Sequence, residues 1–168
     1  ITEIGDPHPD LLYGASVNLE YKHFDFGLFM QGVKGNDVFM GWYRTDRPTT
    51  NKPAYFYTDR WTTPGQSASM PAPDNESDYI YRSDLMVGDG SYLRIKQIQL
   101  GYTIPRDVLA TAGLERARLF VSLDDYFTFT KYKGMDPEAG SSEDQRLGID
   151  RGLYPLTKKV MFGISVTF

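Results

Sequence analysis

The chain has 168 residues, a length that suits one domain, and its formal net charge of −4 offers no basic surface for nucleic acid. It contains no Cys, which excludes disulfides and thiolate metal sites, and no apolar run long enough for a transmembrane helix. A mean hydropathy of −0.43 still fits a membrane β-barrel, because barrel strands alternate apolar and polar residues. The first residue is Ile rather than Met, so we expect the chain to be part of a longer polypeptide.

The beginning of the chain alternates apolar and polar residues with period 2. In "LLYGASVNLEY" the apolar residues occupy alternate positions from Tyr13 to Tyr21, and in "HFDFGLFMQG" they do so from Phe24 to Met30. Two such runs that follow each other at once are typical of a hairpin. The predicted elements are strands over 12–21 and 23–32 and a tight turn near 22.

A long segment rich in Pro, Asp, Asn and Thr follows the second strand, and we predict that 33–90 is a loop. Within this loop, "GNDVFMGWYR" (35–44) and "YFYTDRWT" (55–62) are predicted to hold short helical turns.

The third strand is predicted over 91–102, but its apolar residues change parity. Leu93 and Ile95 lie on one parity, whereas Ile98 lies on the other. A β-bulge near Lys96–Gln97 would bring the two halves back onto one face, because a bulge adds one residue to one strand.

The link 103–116 contains Pro105 followed by "RDVLATAG", which is typical of a short helix with Pro in its first turn and Gly at its end. Alternating apolar residues then predict strands over 117–127 and 159–168. A second long loop, 128–158, separates them and is rich in Gly, Asp, Glu and Pro.

The five predicted strands are about ten residues long, which is the length that a tilted strand needs to cross a bilayer. Antiparallel pairing places the turn near 22 and the link 103–116 on one side and both long loops on the other. Outer-membrane barrels show this asymmetry, with short periplasmic turns and long extracellular loops. The prediction is therefore an all-β, antiparallel transmembrane barrel. Five strands cannot close such a barrel, so we expect its remaining strands upstream of Ile1.

The same alternation also fits a soluble β-sandwich, so a β-rich carbohydrate-binding or adhesion module is the alternative. Strand length favours the barrel, and so do charged residues on the faces opposite the apolar ones, which suit a wet lumen. Aromatic residues near the ends of the apolar faces suit interfacial girdles. These aromatic residues are Tyr13, Tyr21, Tyr102, Phe127 and Phe168.

Several long motifs in the chain resemble the C-terminal end of the SusC/RagA family of TonB-dependent outer-membrane transporters of Bacteroidetes. They occur in the family's order and cover essentially the whole chain. The matching stretches are "GDPHPDLLYGASVNLEYKHFDFGLFMQGVKGNDVF" (5–39), "RW" with "PG" (60–65), "DGSYLRIKQIQLGYTIP" (89–105), "ARLFVSLDDYFTFTKYKGMDPE" (117–138), "GIDRGLYP" (148–155) and "GISVTF" (163–168). Asp125 and Tyr126 depart from the Asn-Leu that is common in the family, which puts in doubt the hydrogen bonds of that Asn.

This resemblance implies that residues 1–168 are the last five or so strands of a barrel of about 22 strands. It also implies an N-terminal plug domain and a TonB-interacting segment, both outside this chain. The partners that it implies are a SusD-like surface lipoprotein, TonB, the outer-membrane assembly machinery and the lipid bilayer. Its implied cargo is an oligosaccharide or a peptide, and its implied location is the outer membrane of a Gram-negative cell.

Three sets of residues are candidates for function. Aromatic residues in the first loop would contact ligand or a lid protein, unless they simply hold the loop together: Trp42, Tyr43, Tyr55, Tyr57 and Trp61. Charged residues of the lumen face would contact substrate or plug, or form pairs: Arg94, Lys96, Arg118 and Asp124. Apolar residues of the last strand would face lipid and, with a terminal aromatic ring, resemble an assembly signal: Val160, Phe162, Ile164, Val166 and Phe168.

No enzyme site, metal site or cofactor is predicted. His8 and His23 are isolated, and no phosphate-binding loop is present. The stretch 135–150 is acidic and carries oxygen ligands that suit Ca²⁺, but its spacing does not match an EF-hand. We interpret it as a solvated loop. Its acidic residues are Asp136, Glu138, Glu143, Asp144 and Asp150.

Overall fold

The computed structural model describes residues 2–45, 47, 50–72, 80–110, 113–138 and 146–168. Strands and a few helical turns make up the regular structure of these residues. In chain order the elements are β1 (Leu11–Tyr21), β2 (Phe24–Lys34), β3 (Asp37–Met40), α1 (Ala54–Thr58), a 3₁₀ turn (Asp84–Met86), β4 (Val87–Asp89), β5 (Tyr92–Thr103), α2 (Arg106–Leu109), β6 (Arg116–Thr130), β7 (Ile149–Asp150) and β8 (Lys159–Thr167).

The chain divides into two compact units. The first, which we call the sheet unit, consists of Leu11–Lys34, Tyr92–Thr130 and Leu156–Phe168. The second, the loop unit, consists of Ile1–Asp10, Gly35–Ser91 and Lys131–Pro155. No helix in the described part of the chain is long and apolar enough to cross a membrane.

The sheet unit contains one five-stranded sheet with the order β1-β2-β5-β6-β8, and every neighbouring pair is antiparallel. The all-β, antiparallel prediction is therefore confirmed. β6 continues to Thr130, three residues beyond the predicted end, because it keeps its pairing with β5 as far as Tyr92.

The register of this sheet places most of the apolar residues of all five strands on one face. One cross-strand row shows the alignment, running through Leu19, Phe26, Leu100, Val121 and Phe162. A slip of one residue in any strand would move its whole apolar set to the other face, so the pattern specifies the register strongly.

The predicted bulge near Lys96 is present. Met30 of β2 pairs with Ile95, but the preceding residue, Phe29, pairs with Gln97, so Lys96 is the extra residue of the bulge. The neighbouring strand β6 is irregular at the same level, where Asp125 has φ +52°. Asp tolerates this left-handed region better than most residues, as Asn does. The departure from the family's Asn therefore suits the backbone.

The sheet unit has two short connections, of different length. Lys22 occupies the first position of the two-residue turn between β1 and β2, with φ +56°, the sign that matches the twist of a hairpin. In the link between β5 and β6, α2 follows Pro105 as predicted but ends at Leu109. Gly113, with φ +67°, follows it.

The loop unit has its own small sheet, in the order β4-β3-β7, with an antiparallel and a parallel pair. The helical turn predicted within 55–62 is present as α1. The one predicted within 35–44 is wrong for β3, where Val38 and Met40 are buried on alternate positions and the strand is paired on both edges. Buried side chains of this unit form a core cluster: Val38, Met40, Tyr43, Phe56, Met70, Met86 and Tyr132.

Aspartates organise the irregular parts of the loop unit. In each of four places a carboxylate oxygen accepts a hydrogen bond from the backbone N–H two residues later, at 2.9–3.0 Å. This Asx turn satisfies a backbone donor without a helix or a strand. The four pairs are Asp6 and His8, Asp89 and Ser91, Asp136 and Glu138, and Asp150 and Gly152.

Candidate functional site

The apolar face of the sheet unit is largely exposed. Phe162 has 83% of its surface accessible, and Leu19, Tyr21 and Ile164 are also well exposed. A continuous apolar face of this extent is typical of a surface that meets lipid or another protein.

The strand predicted to carry an assembly signal forms one edge of the sheet. In β8, Val160, Phe162 and Ile164 pair with Leu123, Val121 and Leu119, so they lie on the apolar face. Phe168 follows the end of the strand and is exposed. The ring of Phe120 lies over Gly163, where a Cβ would collide with it.

The four charged residues predicted to face a lumen each have a different partner. Arg94 is almost fully buried and donates to Thr128 at 2.9 Å, and the Lys96 ammonium lies 3.3 Å from the Asp125 carboxylate. Asp124 accepts a hydrogen bond from Ser122 at 2.6 Å. The fourth is Arg118, which pairs with Asp25. The structure therefore holds these charges with local partners and does not gather them into one cluster.

The Arg118–Asp25 ion pair joins β6 to β2 across the strand between them. The guanidinium donates two hydrogen bonds, and its Nε lies 2.8 Å from the carboxylate. Gly101 of β5 pairs with Asp25 in the register, and a Cβ on Gly101 would collide with the side chains of both Asp25 and Arg118. Sequence reasoning identified Arg118 but missed Asp25 and Gly101, whose roles appear only when three strands are aligned.

A charged cavity of about 550 Å³ lies beside this ion pair at the end of the sheet that carries the short turns. Four cationic side chains and three carboxylates line it, so it suits polar and ionic contacts rather than apolar ligands. These residues are Lys22, Arg106, Arg116, Arg118, Glu20, Asp25 and Glu115.

The five loop aromatics fall into two groups. Tyr43 is 1% exposed, and Trp42 and Tyr55 pack against the core of the loop unit. The hydroxyls of Tyr43 and Tyr55 are hydrogen-bonded at 2.9 Å. Tyr57 and Trp61, in contrast, are 50% and 40% exposed. Trp42 and Tyr43 therefore pack within the loop unit and help to hold it together, whereas the rings of Tyr57 and Trp61 are exposed at the surface.

Burial also changes the acidity of three phenols in the loop unit. Desolvation raises the pKa of Tyr43 and Tyr55 above the usual value, because the charged form loses its hydration. It raises the pKa of Tyr132 as well, and the hydrogen bond from Tyr132 to the Asp150 carboxylate, 2.8 Å long, adds to this shift. All three phenols are therefore held neutral.

The acidic stretch 135–150 is not simply solvated. Asp136 and Asp150 are buried and accept backbone hydrogen bonds, so the solvated interpretation is wrong for these two residues. Glu143 and Asp144 lie outside the described residues. Within the described part of the chain, no three His, Cys, Asp or Glu side chains come together in a way that could hold a metal ion.

Comparison with known proteins identifies the family. The chain is 33% identical to TonB-dependent receptor P3 of Formosa agariphila over 98% of its own length. It is 26% identical to TonB-dependent receptor SusC of Bacteroides thetaiotaomicron over 96%. The chain belongs to the SusC/RagA-like TonB-dependent receptors. This SusC/RagA-like chain spans 17% and 15% of the length of those two relatives. No family model matches it.

Solved structures share the fold of this SusC/RagA-like chain. The RagAB peptide importer in its open-open state matches 96% of the chain with a TM-score of 0.77 at 23% identity, over 17% of the RagAB chain. A second RagAB peptide transporter structure gives a TM-score of 0.78 at 22% identity. The predicted fold class is confirmed by this match, although the five-stranded sheet is open rather than a closed barrel.

Proposed function

We propose that this chain forms part of the wall of an outer-membrane barrel in a TonB-dependent importer, with gated passage and no covalent chemistry. The observation that carries the proposal is the two-sided sheet. All five strands place apolar side chains on one exposed face, and paired charges such as Arg118 and Asp25 lie on the other. The wall of a membrane barrel needs an apolar outer face, which meets lipid, and a polar inner face, which meets water.

The soluble carbohydrate-binding or adhesion module fits these observations less well. A β-sandwich covers its apolar face with a second sheet, so its large apolar side chains are buried. In the described part of the chain, Phe162, Ile164 and Leu19 remain exposed on that face. A soluble monomer rarely exposes so large an apolar surface.

The orientation follows from the lengths of the connections. The turn at Lys22 and the link containing α2 would face the periplasm, and the long loops 33–90 and 128–158 would be extracellular. The wall would then present its charged cavity to the periplasmic end, where a plug domain elsewhere in the polypeptide would contact Arg118 and its neighbours.

Partners and cargo are proposed from the relatives. The importer would act with a SusD-like lipoprotein, draw energy through TonB, and be inserted by the outer-membrane assembly machinery. Its cargo would be oligosaccharides or peptides. Support comes from the names of the relatives, which are receptors and a peptide importer rather than enzymes.

Detergent dependence tests the proposal directly. The 168-residue chain, purified on its own, should aggregate in buffer and disperse only in detergent, because its apolar face has no cover. The longer polypeptide that contains it should appear in the outer-membrane fraction of the source cells. A soluble monomer that unfolds cooperatively without detergent would instead support the module.

A further inference from the structure

The loop unit contains a cavity of about 300 Å³ that the transport proposal does not use. Its lining is mixed. Apolar side chains come from Met40, Met70, Leu85 and Val87, and the polar groups come from Tyr55, Asp84, Asp89, Lys131 and Lys133.

The apolar part of the cavity is anchored in the core. Met40 and Met70 are buried members of the core cluster, and Leu85 packs against it. The hydroxyl of Tyr55 is tied to the hydroxyl of Tyr43, which fixes its ring. Because the thioether side chains of Met40 and Met70 are flexible, this apolar wall can adapt to apolar side chains of different shapes.

The charged side chains around the cavity differ in the partners that they have. Asp89 accepts the backbone N–H of Ser91 at 2.9 Å, and the pKa of Asp89 is lowered mainly by its hydrogen bonds with Ser91 and less by the positive charge of Lys131. Lys133 instead lies over the ring of Tyr55, 4.9 Å from its centroid. Among the described residues no carboxylate pairs with Lys133. The cavity therefore keeps a cation beside its apolar wall.

This arrangement selects between the two classes of cargo. A sugar would need an open aromatic face for stacking, but Lys133 covers the face of Tyr55. A carboxylate attached to an apolar side chain would satisfy Lys133 and fill the wall at the same time.

We propose that this cavity binds the C-terminal residue of a peptide, with the carboxylate on Lys133 and an apolar side chain against Met40, Met70 and Leu85. This proposal depends on the proposed function in one respect, since the loop unit would meet imported peptides only if it is extracellular. It names peptides as the cargo and assigns Lys133 to their recognition.

The test uses the full-length receptor, purified in detergent, and isothermal titration calorimetry. The probes are acetyl-Ala-Ala-Leu as the free acid, the same peptide as its C-terminal amide, and acetyl-Ala-Ala-Ser as the free acid. We expect the leucine acid to bind about tenfold more tightly than its amide, since a charged hydrogen bond contributes about that much. The serine acid should bind about tenfold more weakly, because it leaves the apolar wall empty.

Two variants assign the preference to Lys133. Lys133→Gln should reduce the tenfold difference between acid and amide to less than twofold, and Lys133 is exposed, so the substitution spares the fold. Lys158→Gln is the matched control, since Lys158 also lies over a tyrosine ring, that of Tyr126, at 5.3 Å, but does not line the cavity. It should keep the full preference.

Equal binding of acid and amide by the wild type would overturn the inference, as would an unchanged preference in Lys133→Gln. Competition by maltotriose as strong as that of the leucine peptide would also overturn it, in favour of sugars. These outcomes leave the barrel proposal standing, because outer-membrane fractionation tests that proposal independently of any ligand.

Discussion

Tyrosines in the loop unit have different structural roles, which depend on their position in the fold. Tyr43 lies in the core and is hydrogen-bonded to Tyr55, and Tyr132 donates to the buried carboxylate of Asp150. Tyr154, by contrast, is almost fully exposed. A phenol supplies a large apolar ring and one polar group, so it can fill a core and still satisfy a buried acceptor.

An alkaline titration should separate these phenols. A pKa raised by folding stabilises the native state fully below the unfolded value of about 10, and this stabilisation is lost as the pH rises above it. We therefore expect Tyr43 and Tyr132 to ionise only when the loop unit unfolds. Tyrosinate absorbance of the full-length receptor measures this.

Two variants assign the tyrosinate absorbance to particular tyrosines. Tyr132→Phe should remove one phenol from the late-ionising group, whereas the exposed control Tyr154→Phe should leave that group unchanged. If Tyr132→Phe instead removes a phenol that ionises before the loop unit unfolds, the burial of Tyr132 would be contradicted.

At the scale of elements, the strands owe their facing to two irregularities at one level of the sheet. Lys96 leaves the regular ladder of β5, and Asp125 of β6 adopts a positive φ at the same height. Without this local change, Ile95 and Ile98 would lie on opposite faces. The 3.3 Å approach of Lys96 to Asp125 joins the two irregular sites.

Arginine substitutions on the two faces of the sheet test which face is apolar. Val121→Arg places a charge on the apolar face, which costs about 2–4 kcal/mol near the middle of a membrane, so we expect a severalfold loss of folded barrel in the outer membrane. Gln99→Arg, on the opposite face, is the control and should assemble normally. Membrane levels are measured by fractionation and heat-modifiable gel mobility. Equal levels for both variants would contradict the assigned faces.

At the scale of the whole molecule, the sheet is incomplete as a membrane structure. Among the described residues its edges are β1 and β8, and five strands are fewer than the eight or so of the smallest single-chain barrels. The chain spans 17% of the length of the receptor P3 of Formosa agariphila. We propose that strands elsewhere in the same polypeptide pair with both edges, because an unpaired edge in lipid costs several kcal/mol per backbone group.

Removal of Phe168 from the full-length protein tests the role of the last strand. The ring lies just beyond β8 and contributes little to packing within the sheet, so its deletion should reduce insertion severalfold without weakening the folded barrel. Phe168→Tyr keeps an aromatic ring and should insert normally. Pulse-labelled insertion into the outer membrane measures both variants, and full insertion after the deletion would refute the assembly signal.

The sequence by itself determined the all-β class, the strands, the bulge at Lys96 and the family. These features are local, since side chains alternate along a strand with period 2 and a change of parity marks the bulge. The small sheet containing β3 was missed because four residues carry too little periodicity to separate a strand from a turn.

Only the tertiary structure decided which residues meet across strands and loops. Asp25, Gly101 and Arg118 come from three strands and are brought together by register. The sequence left open whether Tyr43 contacts a ligand or holds the loop together, and the structure places it in a core that is built from two distant segments. Lys133 covers Tyr55 although 78 positions separate them. Such contacts depend on loop closure over long stretches of chain, which local patterning does not encode.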